Sequence, residues 1–203
     1  MRLILVRHGE TDDNVNHISQ GHRDTGLNER GRLQSAAIGR ALRAEKVDAI
    51  FSSDLRRARE TAEAILRFHN APVTFSRHIR EQSIGVFEGR PREDFKSFLL
   101  ESAAKGMAVE DVTPGAGESM RDVRRRAEDF ISILAEKYKG RTVLVVTHGG
   151  FLRMLLGVLL NRSAAESMTL FKLKNACINI IEVSPAGSKA HVINSVSHLG
   201  CQD

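Results

Sequence analysis

At 203 residues the chain is long enough to bury one full-sized core and short for two independent ones. With 41% apolar and 27% charged residues it is too apolar for a disordered protein, and stretches such as 155–160 fall far short of a membrane span of roughly 18 to 20 residues. The formal charge of +5 favours anionic partners, yet no Trp, one Tyr and basic residues mixed with acids outline no nucleic-acid-binding stripe.

Leu3 to Val6 is continuously apolar, bounded by charge and too short for a helix, which predicts a strand buried on both faces. After Asn28, an N-cap residue, Leu33, Ala37 and Ala41 recur at four-residue spacing and predict the inward face of a helix. Val47 to Ser53 repeats the buried-strand pattern, and beyond Asp54 the residues Ala58, Thr61, Ala62 and Ile65 mark a second helical face. Regularity drops from Arg90 to Gly117, where Pro91, Gly106, Pro114, Gly115 and Gly117 predict a helix and loop inserted over the face where the strands end. Ser119 with Asp122 forms a capping box ahead of Met120, Val123, Ala127, Phe130, Ile131 and Leu134, and Gly140 closes that helix. Thr142 to Thr147 is a third buried strand, followed by an apolar helix from Phe151 to Leu160. Ile178 to Val183 and Ala190 to Val196 read as late strands about a Pro185-Ala186-Gly187 turn.

Strands alternating with helices predict an α/β fold, a mostly parallel central sheet with helices on both faces. It forms one domain over residues 1–203, with 90–117 as the insertion. The N-terminus lacks the pattern of a secretory signal. Two cysteines, Cys177 in an apolar run and Cys201, make no disulfide framework and match a reducing compartment, so the expected location is cytoplasmic.

In open α/β sheets, ligands bind outside the carboxyl ends of the strands. His8 and His148 stand at two such ends, each followed by glycine, and are predicted to face one another across one pocket. The strand at Val47 to Ser53 leads into Asp54-Leu55-Arg56-Arg57 in the first turn of a helix, where an anion would meet both a helix N-terminus and an arginine fork.

Five ordered elements now carry a family likeness: RHGET at 7–11 with Asn14, SSDLRRARETA at 52–62, REQSIGVFEG at 80–89, GES at 117–119 and THGG at 147–150. With them the chain resembles the histidine phosphatase superfamily, the phosphoglycerate-mutase-like proteins. The resemblance implies a metal-independent phosphoric monoester hydrolase, without a cofactor, acting on a small phosphorylated metabolite through a phosphohistidine. It makes His8 the nucleophile, Arg7, Arg57 and His148 the phosphate clamp, and Glu81 the proton donor. Asn14, Gln20, Gly21 and Gly149 fall where relatives bind phosphate or substrate, and Glu118 with Ser119 match an element of less definite role.

The chemistry agrees. Histidine attacks phosphorus only as neutral imidazole, so one ring nitrogen must be held protonated, and a backbone carbonyl in the turn at Gly9 is suited to that. Cations at Arg7, Arg57 and His148 oppose protonation of His8, and with the amides of Gly149 and Gly150 they neutralise the transferring phosphoryl oxygens. The alternatives are a cofactor-dependent phosphoglycerate mutase and a non-catalytic phosphate-binding protein on the same fold. Mutases of this family carry longer insertions over the pocket, so the compact chain favours hydrolysis. The other histidines lack metal-ligand spacing. Arg124-Arg125-Arg126 reads as an exposed helix face, Cys177 as a core residue, and Arg90 and Arg92 as candidates to read a second anionic group. The sequence leaves the physiological phosphoester open, and equally whether the chain is a monomer or a dimer.

Overall fold

Leu3 to Val6 and Val143 to Val146 are wholly buried, and their side chains divide between the two sides of one sheet. Leu3, Leu5, Val143 and Val145 pack with Val123, Ala127, Phe130 and Leu134 on one side. Ile4, Val6, Leu144 and Val146 pack with Ile38, Leu42, Ala58, Ala62 and Ile65 on the other. Period-two alternation within continuously apolar strands thus builds two cores at once. Each fully buried Leu, Ile or Val contributes roughly 1.5–3 kcal/mol.

The computed structural model describes residues 1–200, so Cys201 lies outside the described residues. In chain order the elements are β1 (Arg2–Arg7), α1 (Asp12–Val15), α2 (Glu29–Leu42), β2 (Ala49–Ser53), α3 (Arg56–Leu66), β3 (Val73–Ser76) and α4 (Arg92–Ala104). They continue with α5 (Met120–Lys137), β4 (Thr142–Thr147), α6 (Gly149–Leu159), α7 (Ala164–Leu170), β5 (Ile178–Ser184) and β6 (Gly187–Ser195). The sheet runs β3-β2-β4-β1-β5-β6; the first four strands are parallel and the last two join antiparallel. Helices α2 and α3 cover one face, α5 and α6 the other. No helix among the described residues is long and apolar enough to cross a membrane.

Three elements depart from the sequence pattern. In α2, capped by Asn28 as expected, the inward face carries Gln34, Ser35, Ile38 and Leu42, whereas Leu33 is 67% exposed. Polar side chains take the buried positions because they have backbone to hold: Gln34 Oε1 accepts from the Glu10 N–H at 2.9 Å, and Ser35 Oγ donates to the Gly31 carbonyl at 2.7 Å. Strand β3 is an edge strand without a buried run, so it left no apolar signature. Helix α7 was marked only by the capping box of Ser163 and Glu166.

Candidate active site

Strands β1 and β4 lie parallel with Arg7 opposite Thr147, so the residues after them leave the sheet at the same edge. That register brings the rings of His8 and His148 to 5.1 Å between centroids. His8 is 2% exposed, and its Nδ1 lies 2.7 Å from the Gly9 carbonyl. The carbonyl can only accept, so Nδ1 carries the proton and Nε2 keeps its lone pair. The loop after β1 is braced from below: the Gly9 N–H donates to Thr61 Oγ1 at 3.1 Å, and the Glu10 N–H to Gln34. Burial, then Arg57 and Arg7, hold the His8 pKa well below its ordinary value, while the Gly9 hydrogen bond works weakly the other way. The ring is neutral.

Arg57, the second residue of α3, is 1% exposed. Its Nε donates to His148 Nδ1 at 3.1 Å, its Nη1 to the Arg23 carbonyl at 2.7 Å and its Nη2 to the Gly21 carbonyl at 2.9 Å. Gly21 sits at φ +52, a conformation glycine adopts without strain. Because His148 Nδ1 accepts, its proton is on Nε2, which donates to Ser53 Oγ at 2.8 Å. Burial, Arg57 and His8 keep the His148 pKa well below its ordinary value. His148 therefore corrects one expectation: it is a neutral imidazole, and the cations beside His8 are Arg7 and Arg57. Burial pushes both guanidinium pKa values down to about 10, which leaves them charged near neutral pH. Arg7 donates from Nη1 to the Leu173 carbonyl at 2.6 Å, and its buried Nε has no hydrogen-bond partner among the described residues.

Glu81 faces the same cations, both of which feel its charge. Its Oε2 accepts from the Gly150 N–H at 3.0 Å, and its Oε1 from Phe151 and Gln82 at 3.1 and 3.0 Å. The carboxylate thus rests on the first turn of α6. A Cβ at Gly150 would overlap it. The Gly150 amide is consequently engaged by Glu81, contrary to its expected place among donors to phosphate.

Arg126 corrects a second expectation. Of the run at 124–126, only Arg125 is exposed. Arg126 grips Glu118 through two bonds of 2.7 and 3.0 Å and donates to the carbonyls of His78, Arg80 and Glu81 at 2.7, 3.2 and 3.3 Å. Glu118 in turn accepts from the Ser83 N–H at 2.9 Å, and its carbonyl accepts from Gln82 Nε2 at 2.8 Å. The pair braces the segment that carries Glu81. Its signal was helical spacing, since Val123, Arg126 and Phe130 fall on one stripe of α5. Arg80 anchors the same segment to Asp54 with bonds of 2.7 and 2.6 Å and holds that carboxyl below its usual range.

Arg7, His8, Asn14, Gln20, Gly21, Arg57, Glu81 and Gly149 all line one cavity of about 550 Å³. His148 does not; it is fully buried behind Arg57. Asn14 Oδ1 accepts from Thr11 at 3.2 Å and Asn175 at 2.9 Å, which leaves its Nδ2 for the cavity. From the 90–117 segment, Arg92, Phe95, Lys96 and Leu99 complete the wall. Arg153 and Lys172 also line it and were not anticipated, because nothing in their neighbourhoods of the sequence marks them. Among the described residues no group of His, Cys, Asp and Glu is placed to hold a metal ion.

The family model described as the histidine phosphatase superfamily (branch 1) matches residues 3–196. The chain belongs to this superfamily. Adenosylcobalamin/alpha-ribazole phosphatase of Salmonella typhimurium is 34% identical over 196 residues, covering 96% of each chain. Metal-independent phosphoserine phosphatase of Arabidopsis thaliana is 32% identical over 207 residues, covering 97% of this chain and 82% of that one. Among solved structures, the mycobacterial glucosyl-3-phosphoglycerate phosphatase complexed with VO3 superposes with a TM-score of 0.83 at 28% identity, covering 96% of this chain and 99% of that one. The protein is a histidine phosphatase, a hydrolase of small phosphomonoesters.

Proposed function

We propose that this phosphatase works in two displacements centred on His8. The lone pair of Nε2 attacks phosphorus, a P–N bond forms as the ester P–O bond breaks, and the leaving alkoxide takes the proton of Glu81, which enters the cycle as the carboxylic acid that the second step regenerates. Positive charge then develops on the imidazole, and the Gly9 carbonyl facing Nδ1–H at 2.7 Å stabilises it. In the second step Glu81 removes a proton from water, the oxygen attacks phosphorus, and inorganic phosphate leaves as His8 returns to its neutral form. Arg7 and Arg57 clamp the phosphoryl oxygens, with His148 behind them fixing the Arg57 guanidinium. The Asn14 amide, the Gly149 N–H and the backbone about Gln20 and Gly21 contribute the remaining contacts. General acid catalysis by Glu81 is worth about 10²–10⁴ in rate. No step calls for a metal or cofactor.

The observation that carries this reading is a neutral His8 with its tautomer fixed and its Nε2 free, in one cavity with the buried Arg57, the half-buried Arg7 and the carboxyl group of Glu81. The alternatives weaken together. A binding module has no use for an uncharged imidazole aimed at the ligand, and 90–117, which we read as an insertion over the active face of a single domain, adds only Arg92, Phe95, Lys96 and Leu99 to the cavity wall. The relatives named above point to a small phosphorylated metabolite as substrate. A buried free thiol at Cys177 suits the cytoplasm.

The test is a single-turnover reaction with O-phosphoserine and 3-phosphoglycerate, quenched in base to preserve phosphohistidine. The expected result is a phosphoryl group on His8, none in His8→Ala, and stoichiometric inorganic phosphate. Release of phosphate without a label on His8 would overturn the mechanism. Conversion of 3-phosphoglycerate to 2-phosphoglycerate would make the protein a mutase.

A further inference from the structure

Six basic residues line the cavity, Arg7, Arg57, Arg92, Lys96, Arg153 and Lys172, against a single acid, Glu81. The chain holds 30 basic and 25 acidic residues, so the 24 and 24 that remain cancel and the whole formal surplus of +5 sits on this one cavity. A phosphomonoester dianion offsets two of those charges. Arg7 and Arg57, the two beside His8, suffice for it.

The other four cations come from three separate elements and line the same cavity. Arg92 and Lys96 stand one turn apart on α4, Arg153 on α6 and Lys172 in the segment after α7. Among the described residues no acid pairs with Arg92, Arg153 or Lys172; Arg153 donates Nε to the Phe171 carbonyl at 2.9 Å, and Lys96 pairs with the exposed Glu93 at 2.9 Å. Arg92 and Arg153 oppose each other and both oppose Arg7, while Glu81 and Asp13 offset part of this at Arg92 from a distance. Like charges left unpaired in one concavity are unfavourable until an anion joins them. The same wall also carries the apolar residues Ile84, Phe95, Leu99, Met120 and Met168.

We infer that Arg92 and Arg153, with Lys96 and Lys172, form a second oxyanion site, and that the substrate is a phosphomonoester carrying another anionic group. This inference rests on the proposed reading of His8 and its clamp, and deepens it by naming a substrate class.

The experiment compares kcat/KM for four matched esters: 6-phosphooxyhexanoate, its primary amide, hexane-1,6-diol bisphosphate and the monophosphate of that diol. p-Nitrophenyl phosphate, which lacks a second charge, is the fifth. Wild-type protein is expected to prefer the carboxylate over the amide, or the bisphosphate over the monophosphate, by about 10- to 100-fold, the factor one charge-assisted hydrogen bond is worth. The larger of the two ratios tells carboxylate from phosphate. In Arg92→Gln and, on a separate element, Lys172→Gln, that ratio should fall toward one. Equal rates on charged and neutral partners in the wild type, or ratios untouched in both variants, would overturn the second site. Failure to turn over p-nitrophenyl phosphate through His8 would instead overturn the underlying mechanism.

Discussion

The floor of the cavity and its rim are both cationic, and they are built in opposite ways. On the floor, Arg57 is 1% exposed and each of its three nitrogens is tied to the protein, to His148 and to two carbonyls. At the rim, Arg92 and Lys172 are exposed, and among the described residues neither forms a salt bridge. A buried, fully tied guanidinium is positioned before any ligand arrives, as transition-state stabilisation requires, whereas an exposed flexible one can adjust to whatever enters. On the proposed mechanism, the difference separates a part of the site fitted to the reaction from a part fitted to a particular molecule.

The largest effect expected from breaking the floor is that of Arg57→Lys. Lysine keeps the charge but cannot span His148, Arg23 and Gly21, so kcat/KM should fall about 10³-fold. The neighbouring Arg56, exposed and paired with Glu60, should tolerate Ala within about 0.5 kcal/mol of stability and with unchanged turnover. Steady-state kinetics and urea unfolding check both, and equal losses at the two positions would erase the contrast.

Next comes Arg126→Met, which loosens the segment carrying Glu81. It should slow hydrolysis of an alkyl phosphate about 10- to 100-fold and that of p-nitrophenyl phosphate much less, since a good leaving group scarcely needs a proton. A uniform loss across leaving groups would mean that Arg126 serves only the fold.

Neutral His8 and His148 also make a prediction about stability. Their folded-state pKa values lie below the ordinary histidine value, so at acid pH the unfolded chain takes up protons that the native one refuses. Stability should be flat above about pH 6.5 and fall below it by about 1.4 kcal/mol per pH unit for each ring, until the folded groups themselves titrate. Urea midpoints at pH 7.5, 6.5 and 5.5 measure it, and His8→Gln should remove about half of the slope. The smallest effect is at Leu33: on a polar helix face, Leu33→Gln should change stability by no more than about 0.5 kcal/mol, while Ile38→Val costs about 1 kcal/mol.

How much was legible in the sequence follows the same division. The sheet, the two histidines at adjoining strand ends and Arg57 in the first turn of α3 could be read because continuous apolar runs and short contiguous motifs specify them. The inward face of α2 was misplaced because periodicity weighs apolar residues, and there the buried positions hold Gln34 and Ser35, whose partners lie in the loop after His8. Arg126 was hidden within a run of three arginines that differ only in their angle about the helix. His148 looked like a cation because its type was visible and its burial was not. Arg153 and Lys172 belong to the cavity only through the packing of α6 and α7, which no local pattern encodes.

A cavity that gathers the chain's entire excess of positive charge greets the departing anion as warmly as the arriving one. Inorganic phosphate carries much of the charge of the ester it came from, so if Arg7 and Arg57 clamp the ester as proposed, they hold the product by the same charges. Added phosphate is then expected to inhibit competitively, which initial rates at rising phosphate would measure.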